Sequence, residues 1–347
     1  MGSATFALSS LDRLFERGYE ITGVVTQPDK PSGRGQILQS PPVKRRAVDL
    51  HLPIYQPASL KTEETQSLIQ ALGPDLVVVV AYGKILPPWL LHFPPHGCIN
   101  VHGSILPKYR GAAPVHWAIA NGETTTGVCT MLLDEGLDTG PVYLCRETAI
   151  GPNEIVAEVY DRLGDIGADL LIETLEGVLK DSLEPKPQDN SKATFAPMLK
   201  KEHGLIDWRM AAVEIHNRVR AFNPWPGTAA KFRGGTCKIL QTAVGVGSSP
   251  SGRGWREAPG EGHRSSQILR PSPYPLPEGE GDLSNSHAQS PGSVVLSKHS
   301  LAVMCGDGGL LEIMRIQPEN RKAISGADFA NGVRIEPGEK FESLMDN

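Results

Sequence analysis

Three polar side chains of this chain stand in glycine-flanked turns beside apolar segments, where such groups can do acid–base chemistry. Asn100 and His102 lie in the run Asn-Val-His-Gly-Ser-Ile-Leu-Pro, and Asp138 lies downstream in Gly-Leu-Asp-Thr-Gly. Because Asn100 and His102 are two residues apart, the end of an extended strand places both side chains on the same side. An amide, an imidazole and a carboxylate together can polarise a carbonyl, move a proton and orient the group that moves it.

The elements that must position these residues alternate between strand and helix from residue 1 to about 180. Leu76–Tyr82 is apolar throughout, as expected for a strand covered on both faces of a parallel sheet. Cys98–His102 is a further predicted strand, with Asn100 and His102 at its carboxyl end. The alternation predicts a Rossmann-like, mostly parallel α/β sheet, which binds ligands at the carboxyl ends of its strands. The other predicted strands are Ile21–Thr26, Leu52–Gln56, Thr126–Leu133 and Val142–Glu147, and the predicted helices lie near residues 4–17, 62–72, 113–121 and 155–178.

The second half of the chain has a different pattern. Residues 182–204 are polar and rich in Pro and Lys, which is typical of a linker. Short β-like runs with Gly-rich turns follow, and they predict a small OB-like β-barrel domain over residues 205–345. Residues 246–290 interrupt this barrel with many Gly, Ser and Pro, so they bury too little apolar surface to offset the entropy of ordering. We therefore expect a disordered insertion there.

The composition of the 347 residues bounds the class of protein. Hydrophobic residues make up 39% and charged residues 21%, which allows a substantial core, and the net charge of −5 gives no global sign of nucleic-acid binding. The five cysteines show no C-x-x-C spacing, so we expect reduced thiols, no metal site and a cytoplasmic location. No stretch approaches the roughly 20 apolar residues that span a bilayer, and no membrane partner is expected.

The motifs that hold Asn100, His102 and Asp138 closely resemble those of the folate-dependent formyltransferases, with their N-x-H-x-S-x-L-P strand end and G-x-D-T-G loop. The resemblance extends from Gly2 to about Gly332. It implies a catalytic formyltransferase domain over residues 1–181. It also implies transfer of a formyl group from 10-formyltetrahydrofolate to an amine, without a metal.

Formyl transfer to an amine makes demands that the three side chains can meet. The amide of Asn100 can donate to the oxyanion that develops on the formyl group, an interaction that typically contributes roughly 3 kcal/mol. A histidine titrates near neutrality, so His102 can act as acid or base. Asp138 can hold the imidazolium form or take a proton through an ordered water. These three residues are the predicted catalytic group.

The resemblance also assigns residues to folate binding. In the family, the pterin lies in a pocket lined by backbone and aliphatic groups, and the segment after His102 matches that contact. Its residues in this chain are Ser104, Ile105, Leu106 and Pro107. The turn that follows the apolar strand resembles a second wall of the pocket, formed by Tyr82, Gly83 and Ile85.

Two basic regions favour the amino group of initiator methionyl-tRNA as formyl acceptor, over glycinamide ribonucleotide or nucleotide-linked amino sugars. Thr26–Asp49 holds five basic and two acidic residues, and it resembles the loop with which tRNA-formylating members contact the acceptor end. Residues 200–240 hold eight Lys or Arg and three acidic residues, which suits contacts to phosphates. The tRNA contacts predicted in the first region are Arg34, Lys30, Lys44 and Arg45.

The resemblance and the two basic regions therefore imply an enzyme that formylates initiator methionyl-tRNA for translation initiation, and a monomer is expected. One departure from the family concerns the start of the chain. In the family an apolar strand precedes a turn like the one at Gly2, whereas only Met1 precedes it in this sequence. The first strand of the catalytic domain is therefore expected to be missing.

Two alternative functions stay open at this point. A formyltransferase acting on an amino sugar or another small amine would lack a steep salt dependence of substrate binding. A tRNA-binding protein that had lost catalysis would bind tRNA in a salt-sensitive way but show no turnover.

Overall fold

The structure, a computed structural model, describes residues 1–32, 37–245, 290–297, 300–336 and 338–344. Arg34 lies outside these ranges. Residues 246–289 also lie outside them, and they make up nearly all of the predicted insertion. The helices are α1 Leu8–Glu16, α2 Pro42–Asp49, α3 Glu63–Leu72, α4 Pro88–His92, α5 Pro114–Ala120, α6 Val156–Leu179, α7 Ala212–Phe222 and α8 Gly326–Val333. The strands are β1 Val24–Val25, β2 Lys30–Ser32, β3 Ile37–Gln39, β4 Ile54–Tyr55, β5 Val77–Val79, β6 Cys98–His102, β7 Thr125–Leu132, β8 Val142–Ala149, β9 Thr228–Phe232, β10 Gly235–Val244, β11 Val294–Leu296, β12 Leu301–Met304, β13 Leu310–Pro318, β14 Ile324–Ser325 and β15 Phe341–Glu342.

The first half of the chain forms an α/β sheet with helices on both faces. Strand β1 pairs in parallel with β4, and β5 pairs in parallel with β6. Beyond β6 the sheet continues with β7 and β8, which are antiparallel to their neighbours. The prediction of a mostly parallel α/β sheet is confirmed, and the antiparallel pair lies on one side of β6.

Met1 and Gly2 lie between β1 and β5 and join the two parallel parts of the sheet. The Gly2 amide donates to the carbonyl of Val25 at 3.0 Å, and the Val80 amide donates to the carbonyl of Met1 at 2.9 Å. A cavity of about 470 Å³ lies beside Met1, and its walls include apolar side chains of α1, α3 and α6. Burial lowers the pKa of the Met1 amino group to about 6, because desolvation disfavours the charged form. Whether a strand precedes Met1 stays a prediction.

Helix α6 packs against the central strand β6. The helix buries an apolar stripe that includes Val159, Leu163 and Leu171, and full burial of a leucine side chain contributes roughly 2 kcal/mol. Gly167 lets the helix approach the strand closely, since a Cβ there would lie 2.8 Å from a methyl carbon of Val101. Val101 stands between Asn100 and His102, so this contact fixes the strand segment that carries both.

The basic region Thr26–Asp49, expected to be a loop, contains a hairpin of β2 and β3 followed by helix α2. Helix α2 and the short helix α4 were not predicted, because neither shows a long apolar periodicity. Both have proline in the first turn, where its fixed φ suits a helix start and its missing N–H is not needed.

Residues 182–204 connect the two domains but are not a free spacer. Lys186 and Val142 donate backbone hydrogen bonds to each other's carbonyls at 2.7 and 2.8 Å. Further along, the Arg110 amide donates to Thr194, and the Ala196 amide donates to the carbonyl of Arg110 at 2.7 Å. Polar composition did not reveal these contacts because they are made by the backbone with distant segments. The connecting segment therefore forms part of the surface of the N-terminal domain.

The second half of the chain forms a nearly closed antiparallel barrel with strand order β11, β12, β13, β10, β9, β15. Backbone hydrogen bonds join the first and last of these strands, from Val294 to Glu339 at 2.8 Å and from Phe341 to Gly292 at 2.9 Å. The predicted barrel is confirmed. Helix α7 attaches it to the catalytic domain, where the rings of Phe222 and Trp117 meet edge to face at 5.7 Å.

Cys129 and Cys145 form a disulfide between β7 and β8. The expectation that all cysteines are reduced is wrong for this pair. The two residues stand directly opposite each other in the strand register, which sequence spacing does not reveal. Cys98, Cys237 and Cys305 are buried free thiols, and burial raises the pKa of each.

None of the helices within the described ranges is long and apolar enough to cross a membrane.

Candidate active site

Asn100 and His102 stand on one face of β6, at the carboxyl end of the parallel part of the sheet. Asn100 pairs with Val79 on one side and His102 pairs with Cys129 on the other. His102 is buried with 6% of its surface exposed, whereas Asn100 is half-buried. The carboxamide of Asn100 makes no hydrogen bond within the described part of the chain. Its amide is therefore available to a substrate oxygen.

A backbone carbonyl sets the orientation of the His102 ring. Nε2 of His102 lies 3.0 Å from the carbonyl oxygen of Tyr109, in a residue held at a φ of 59°. Because a carbonyl only accepts, Nε2 must carry a proton, and Nδ1 is the lone-pair atom of the neutral ring. Nδ1 faces Asp138 and lies 3.8 Å from its Oδ2. The ring can therefore gain a proton on the side where a carboxylate stands.

The main chain holds Asp138 through the same carboxylate oxygen that faces His102. Its Oδ2 accepts a hydrogen bond from the Gly111 amide at 2.8 Å, and 15% of the side chain is exposed. The 3.8 Å to His102 is longer than a hydrogen bond. The pair is therefore arranged for charge stabilisation of a protonated ring rather than for a permanent direct bond.

The G-x-D-T-G motif has a structural reason at each glycine. A Cβ at Gly136 would lie 1.9 Å from the hydroxyl of Thr139, and one at Gly140 would lie 1.9 Å from the carbonyl oxygen of Leu132. Asp134 closes the loop by accepting hydrogen bonds from the Gly136 amide at 3.0 Å and the Thr139 hydroxyl at 2.7 Å. The tight loop brings Asp138 to the strand end that carries His102.

The predicted folate residues after His102 form a turn and a small apolar cluster. Ser104 donates its hydroxyl to the carbonyl of Lys108 at 2.6 Å and thereby closes the turn that brings Tyr109 back to His102. Ile105 and Leu106 pack on the face of the sheet that carries Met131. Pro107 is half-buried. The Ser104 hydroxyl thus has an intramolecular partner, while the aliphatic groups line the strand end.

The second predicted wall follows β5, whose carboxyl end neighbours that of β6. Tyr82 is only 2% exposed and belongs to the core, and burial raises its pKa to about 12. Gly83 has a φ of 75°, and a Cβ there would lie 2.6 Å from the side-chain nitrogen Nε2 of Gln27. Ile85 is 88% exposed. Of these three predicted residues, the structure therefore places Gly83 and Ile85 at the surface of this edge.

Of the predicted tRNA contacts, Lys30 lies on strand β2, and Lys44 and Arg45 lie on the following helix α2. Lys30 is exposed and donates to Gln27 at 2.7 Å, and Arg45 is exposed and donates to a backbone carbonyl. Lys44 instead forms a half-buried ion pair with Asp29 at 2.8 Å. Hydrogen bonds from Gln56 and Lys44 lower the pKa of Asp29. Lys44 is therefore neutralised locally.

Some of the basic side chains of residues 200–240 also bind groups of the protein itself. Arg220 is 6% exposed and donates to the carbonyls of Gly151 and Glu154, so it fastens α7 to the catalytic domain. Arg233 pairs with Glu339. Fewer of these cations face solvent than the sequence count indicates.

Sequence analysis missed the groups that orient His102 and Asp138. The carbonyl of Tyr109 and the amide of Gly111 contact His102 and Asp138, and Gln188 donates to the backbone of the Asp138 loop. The run Lys108–Gly111 carried a signal, since it continues the family motif, but backbone contacts are not visible in residue types. Within the described ranges, no group of three His, Cys, Asp or Glu side chains is placed to hold a metal ion.

Comparison with known sequence families covers both domains. Residues 1–175 match the family described as Formyl transferase, and residues 198–270 and 273–334 match Formyl transferase, C-terminal domain. The methionyl-tRNA formyltransferase of Geobacter sulfurreducens is 42% identical over 98% of this chain and 95% of its own length. The protein of that name from Trichlorobacter lovleyi is 41% identical over 96% of this chain and 92% of its own length. That of Desulforamulus reducens is 51% identical over 70% of this chain and 77% of its own length.

Solved structures give the same fold. The sugar 3N-formyl transferase WlaRD superposes with a TM-score of 0.59 at 16% identity, covering 92% of this chain and 97% of that chain. An N-formyltransferase from Helicobacter canadensis gives a TM-score of 0.58 at 16% identity, covering 91% of this chain and 97% of that chain. At this identity the likeness concerns the fold alone. The sequence matches extend through both domains, and the chain belongs to the formyl transferase family.

Proposed function

We propose that this chain transfers the formyl group of 10-formyltetrahydrofolate to the amino group of initiator methionyl-tRNA. The observation that carries the proposal is the convergence of Asn100, His102 and Asp138 at one strand end, with Nδ1 of His102 facing the Asp138 carboxylate at 3.8 Å. The methionyl-tRNA formyltransferases of Trichlorobacter lovleyi and Geobacter sulfurreducens match this chain over 96–98% of its length at about 41% identity, and they favour methionyl-tRNA as acceptor.

In the first half of the reaction, the lone pair of the amine forms a bond to the formyl carbon. The π electrons of the formyl group move onto its oxygen, and the Asn100 amide donates a hydrogen bond to that oxyanion. The hydrogen bond from such a preorganised donor is stronger in the transition state than in the ground state, so it raises the rate. Asn100 suits this role because its carboxamide has no partner within the described chain.

In the second half, the carbonyl re-forms and the bond between the carbon and the folate nitrogen breaks. The attacking amine must lose a proton, and the leaving nitrogen must gain one. Nδ1 of His102 takes the proton as a base and returns it as an acid, while Nε2 keeps its hydrogen bond to Tyr109. Asp138 stabilises the positively charged ring in between. No proton is gained or lost in the sum.

Folate binding is proposed at the same edge of the sheet. The aliphatic groups of Ile105 and Leu106 and the exposed side chain of Ile85 are suited to cover an aromatic ring system. WlaRD was solved in the presence of 5-N-formyl-THF, and the Helicobacter canadensis enzyme in complex with folinic acid. Those ligands support a folate as formyl donor in this fold.

The tRNA is proposed to contact the exposed cations Lys30 and Arg45, together with Arg34, and the outer face of the barrel over residues 205–345. Lys44 contributes less directly, because Asp29 neutralises it. We further propose that the protein acts as a monomer, with residues 1–181 as catalytic domain and 182–204 as connection.

A direct assay tests the function. Purified protein is incubated with 10-formyltetrahydrofolate and charged initiator methionyl-tRNA, and formylmethionyl-tRNA is measured at several salt concentrations. Nucleotide-linked amino sugars and glycinamide ribonucleotide serve as alternative acceptors in parallel reactions. We expect turnover with the tRNA only, with a KM that rises steeply with salt. Turnover of an amino sugar without that salt dependence would contradict the proposed acceptor.

A further inference from the structure

The backbone of the Asp138 loop needs external support. Asp138 adopts a φ of 53°, in the left-handed region that residues other than glycine rarely occupy. Such conformations persist when the surrounding structure fixes them, and they often cluster at functional sites. The contacts of Asp134 close the loop from within, but they do not fix it relative to β6.

Gln188 supplies this support from the connecting segment 182–204. Its Nε2 donates to the carbonyl of Asp138 at 2.9 Å and to that of Gly140 at 2.7 Å. The two bonds span Thr139 and hold the loop at two successive points. A single half-buried carboxamide thus fixes the backbone on which the catalytic carboxylate is mounted.

Arg110 decides which way the Gln188 carboxamide points. Its Nε and Nη2 donate to Oε1 of Gln188 at 3.1 and 2.7 Å, and Nη2 also donates to Asn190 at 2.7 Å. Arginine has only donors, so the oxygen of Gln188 must face the guanidinium and its NH₂ group must face the loop. Arg110 is 4% exposed, and this arrangement is therefore fixed in the interior.

The three-residue run Tyr109–Gly111 contacts both His102 and Asp138 or the loop that carries it. The carbonyl of Tyr109 orients His102, the amide of Gly111 binds Asp138, and the side chain of Arg110 between them acts on the Asp138 loop through Gln188. These hydrogen bonds connect the backbone and side-chain contacts of His102 and Asp138 to one another. Movement of Gln188 would therefore change the distance between Asp138 and His102.

We propose that Gln188 is a positioning residue of the formyl-transfer site, which holds the Asp138 carboxylate opposite Nδ1 of His102. The inference rests on the proposed function and extends it to a residue outside the motifs. Gln188 touches no reacting atom. Its effect is expected on turnover rather than on substrate affinity, since the catalytic pair is displaced while the binding surfaces remain.

The test compares Gln188→Leu, a change of similar size that removes the donors and the acceptor, with Gln66→Leu. Gln66 is also half-buried, on helix α3, outside the surfaces proposed to bind folate and tRNA. We expect Gln188→Leu to lower kcat ten- to a hundredfold with KM changed less than about twofold, because small misplacements of catalytic groups have effects of this size. Gln66→Leu should leave kcat unchanged.

A double-variant cycle separates positioning from a general structural role. In an Asp138→Asn background the carboxylate is already absent, so adding Gln188→Leu should lower kcat by less than about twofold. An equal loss in both backgrounds, or a raised KM with unchanged kcat, would overturn the inference. Thermal melting of all variants identifies any that are not folded.

A second readout does not depend on turnover, so a failure of the proposed function is recognised separately. The NMR signal of the His102 ring is assigned by its disappearance in His102→Asn. In Gln188→Leu the signal should move towards its position in Asp138→Asn, and in Gln66→Leu it should stay in place. An unmoved signal in Gln188→Leu would overturn the inference even in a wild-type protein that formylates nothing.

Discussion

Nδ1 of His102 lies 3.8 Å from Oδ2 of Asp138, although the two residues belong to a central strand and to a distant loop. Each is held by the backbone of one short run, through the carbonyl of Tyr109 and the amide of Gly111. The pair is therefore preorganised by main-chain contacts, which tolerate little displacement. This arrangement brings a glycine-rich loop and a strand end together, as the proposed proton transfer requires.

Loss of the Asp138 charge should impair catalysis without unfolding the protein. Asparagine has nearly the same shape and can still accept the Gly111 amide, but it cannot stabilise a protonated His102. We expect Asp138→Asn to lower kcat about 100-fold or more, within the range typical of general acid–base groups. Steady-state kinetics and circular dichroism check this, and near-wild-type turnover would remove Asp138 from the mechanism.

Removal of the Asn100 amide should act on the transition state. Asn100→Ala deletes the donor proposed for the oxyanion, and such deletions lower kcat about 100- to 1,000-fold. The KM for either substrate should change little. Asn153→Ala, at an exposed position in a loop, is the control. A variant that raised KM at unchanged kcat would place Asn100 in ground-state binding instead.

Lys30→Ala combined with Arg45→Ala should weaken tRNA binding and leave folate binding unchanged. If both cations contact phosphates, the slope of log K against log salt should become shallower by roughly 2. Binding of tRNA is measured by filter retention at several salt concentrations, and folate binding by calorimetry. Arg34→Ala is expected to act in the same direction. Lowered folate affinity in any of these variants would contradict the assignment of the hairpin region to tRNA.

The stability of the protein should fall in mildly acidic solution because of His216. Its ring is buried between the hydroxyl of Thr242 and the carbonyl of Pro152, and burial lowers its pKa. An unfolded histidine titrates near 6.5, so below that pH the unfolded chain takes up a proton that the folded ring resists. The contribution is therefore present above about pH 6.5 and lost as pH falls through the lowered pKa.

Melting temperatures between about pH 5 and pH 7 check this expectation. His216→Gln, which does not titrate, should show a flatter profile than the wild type. His116 also has a pKa lowered by burial, so part of the slope remains in His216→Gln. Identical profiles for wild type and His216→Gln would show that His216 does not couple pH to folding.

Reduction of the Cys129–Cys145 disulfide should lower stability. The two cysteines are separated by 16 residues, and closing a loop of that size contributes roughly 3 kcal/mol in the chain-entropy account. Denaturant unfolding with and without a thiol reductant measures the difference, and Cys145→Ser is the corresponding variant. Cys145 is exposed and accepts substitution without a cavity. An unchanged midpoint after verified reduction would contradict the prediction.

Local patterns in the sequence predicted the elements with strong periodicity. Helix α6 and strand β6 were predicted nearly residue for residue, because each has a long apolar repeat or a clear boundary. Short helices such as α2 were missed, since tertiary packing rather than periodicity stabilises them. Tyr82 was assigned to a binding surface, but its ring is in the core, because residue type alone does not tell which side of a turn faces solvent.

The sequence by itself determined the family and the proposed catalytic group, because Asn100, His102 and Asp138 stand in short motifs with a fixed spacing. Only the tertiary structure decided how these side chains are held, since the partners of His102 and Asp138 are backbone groups of Tyr109 and Gly111. It also decided that Lys44 is neutralised by Asp29. Such contacts join segments that are distant along the chain, and their geometry depends on strand register and loop conformation, which local residue patterns do not encode.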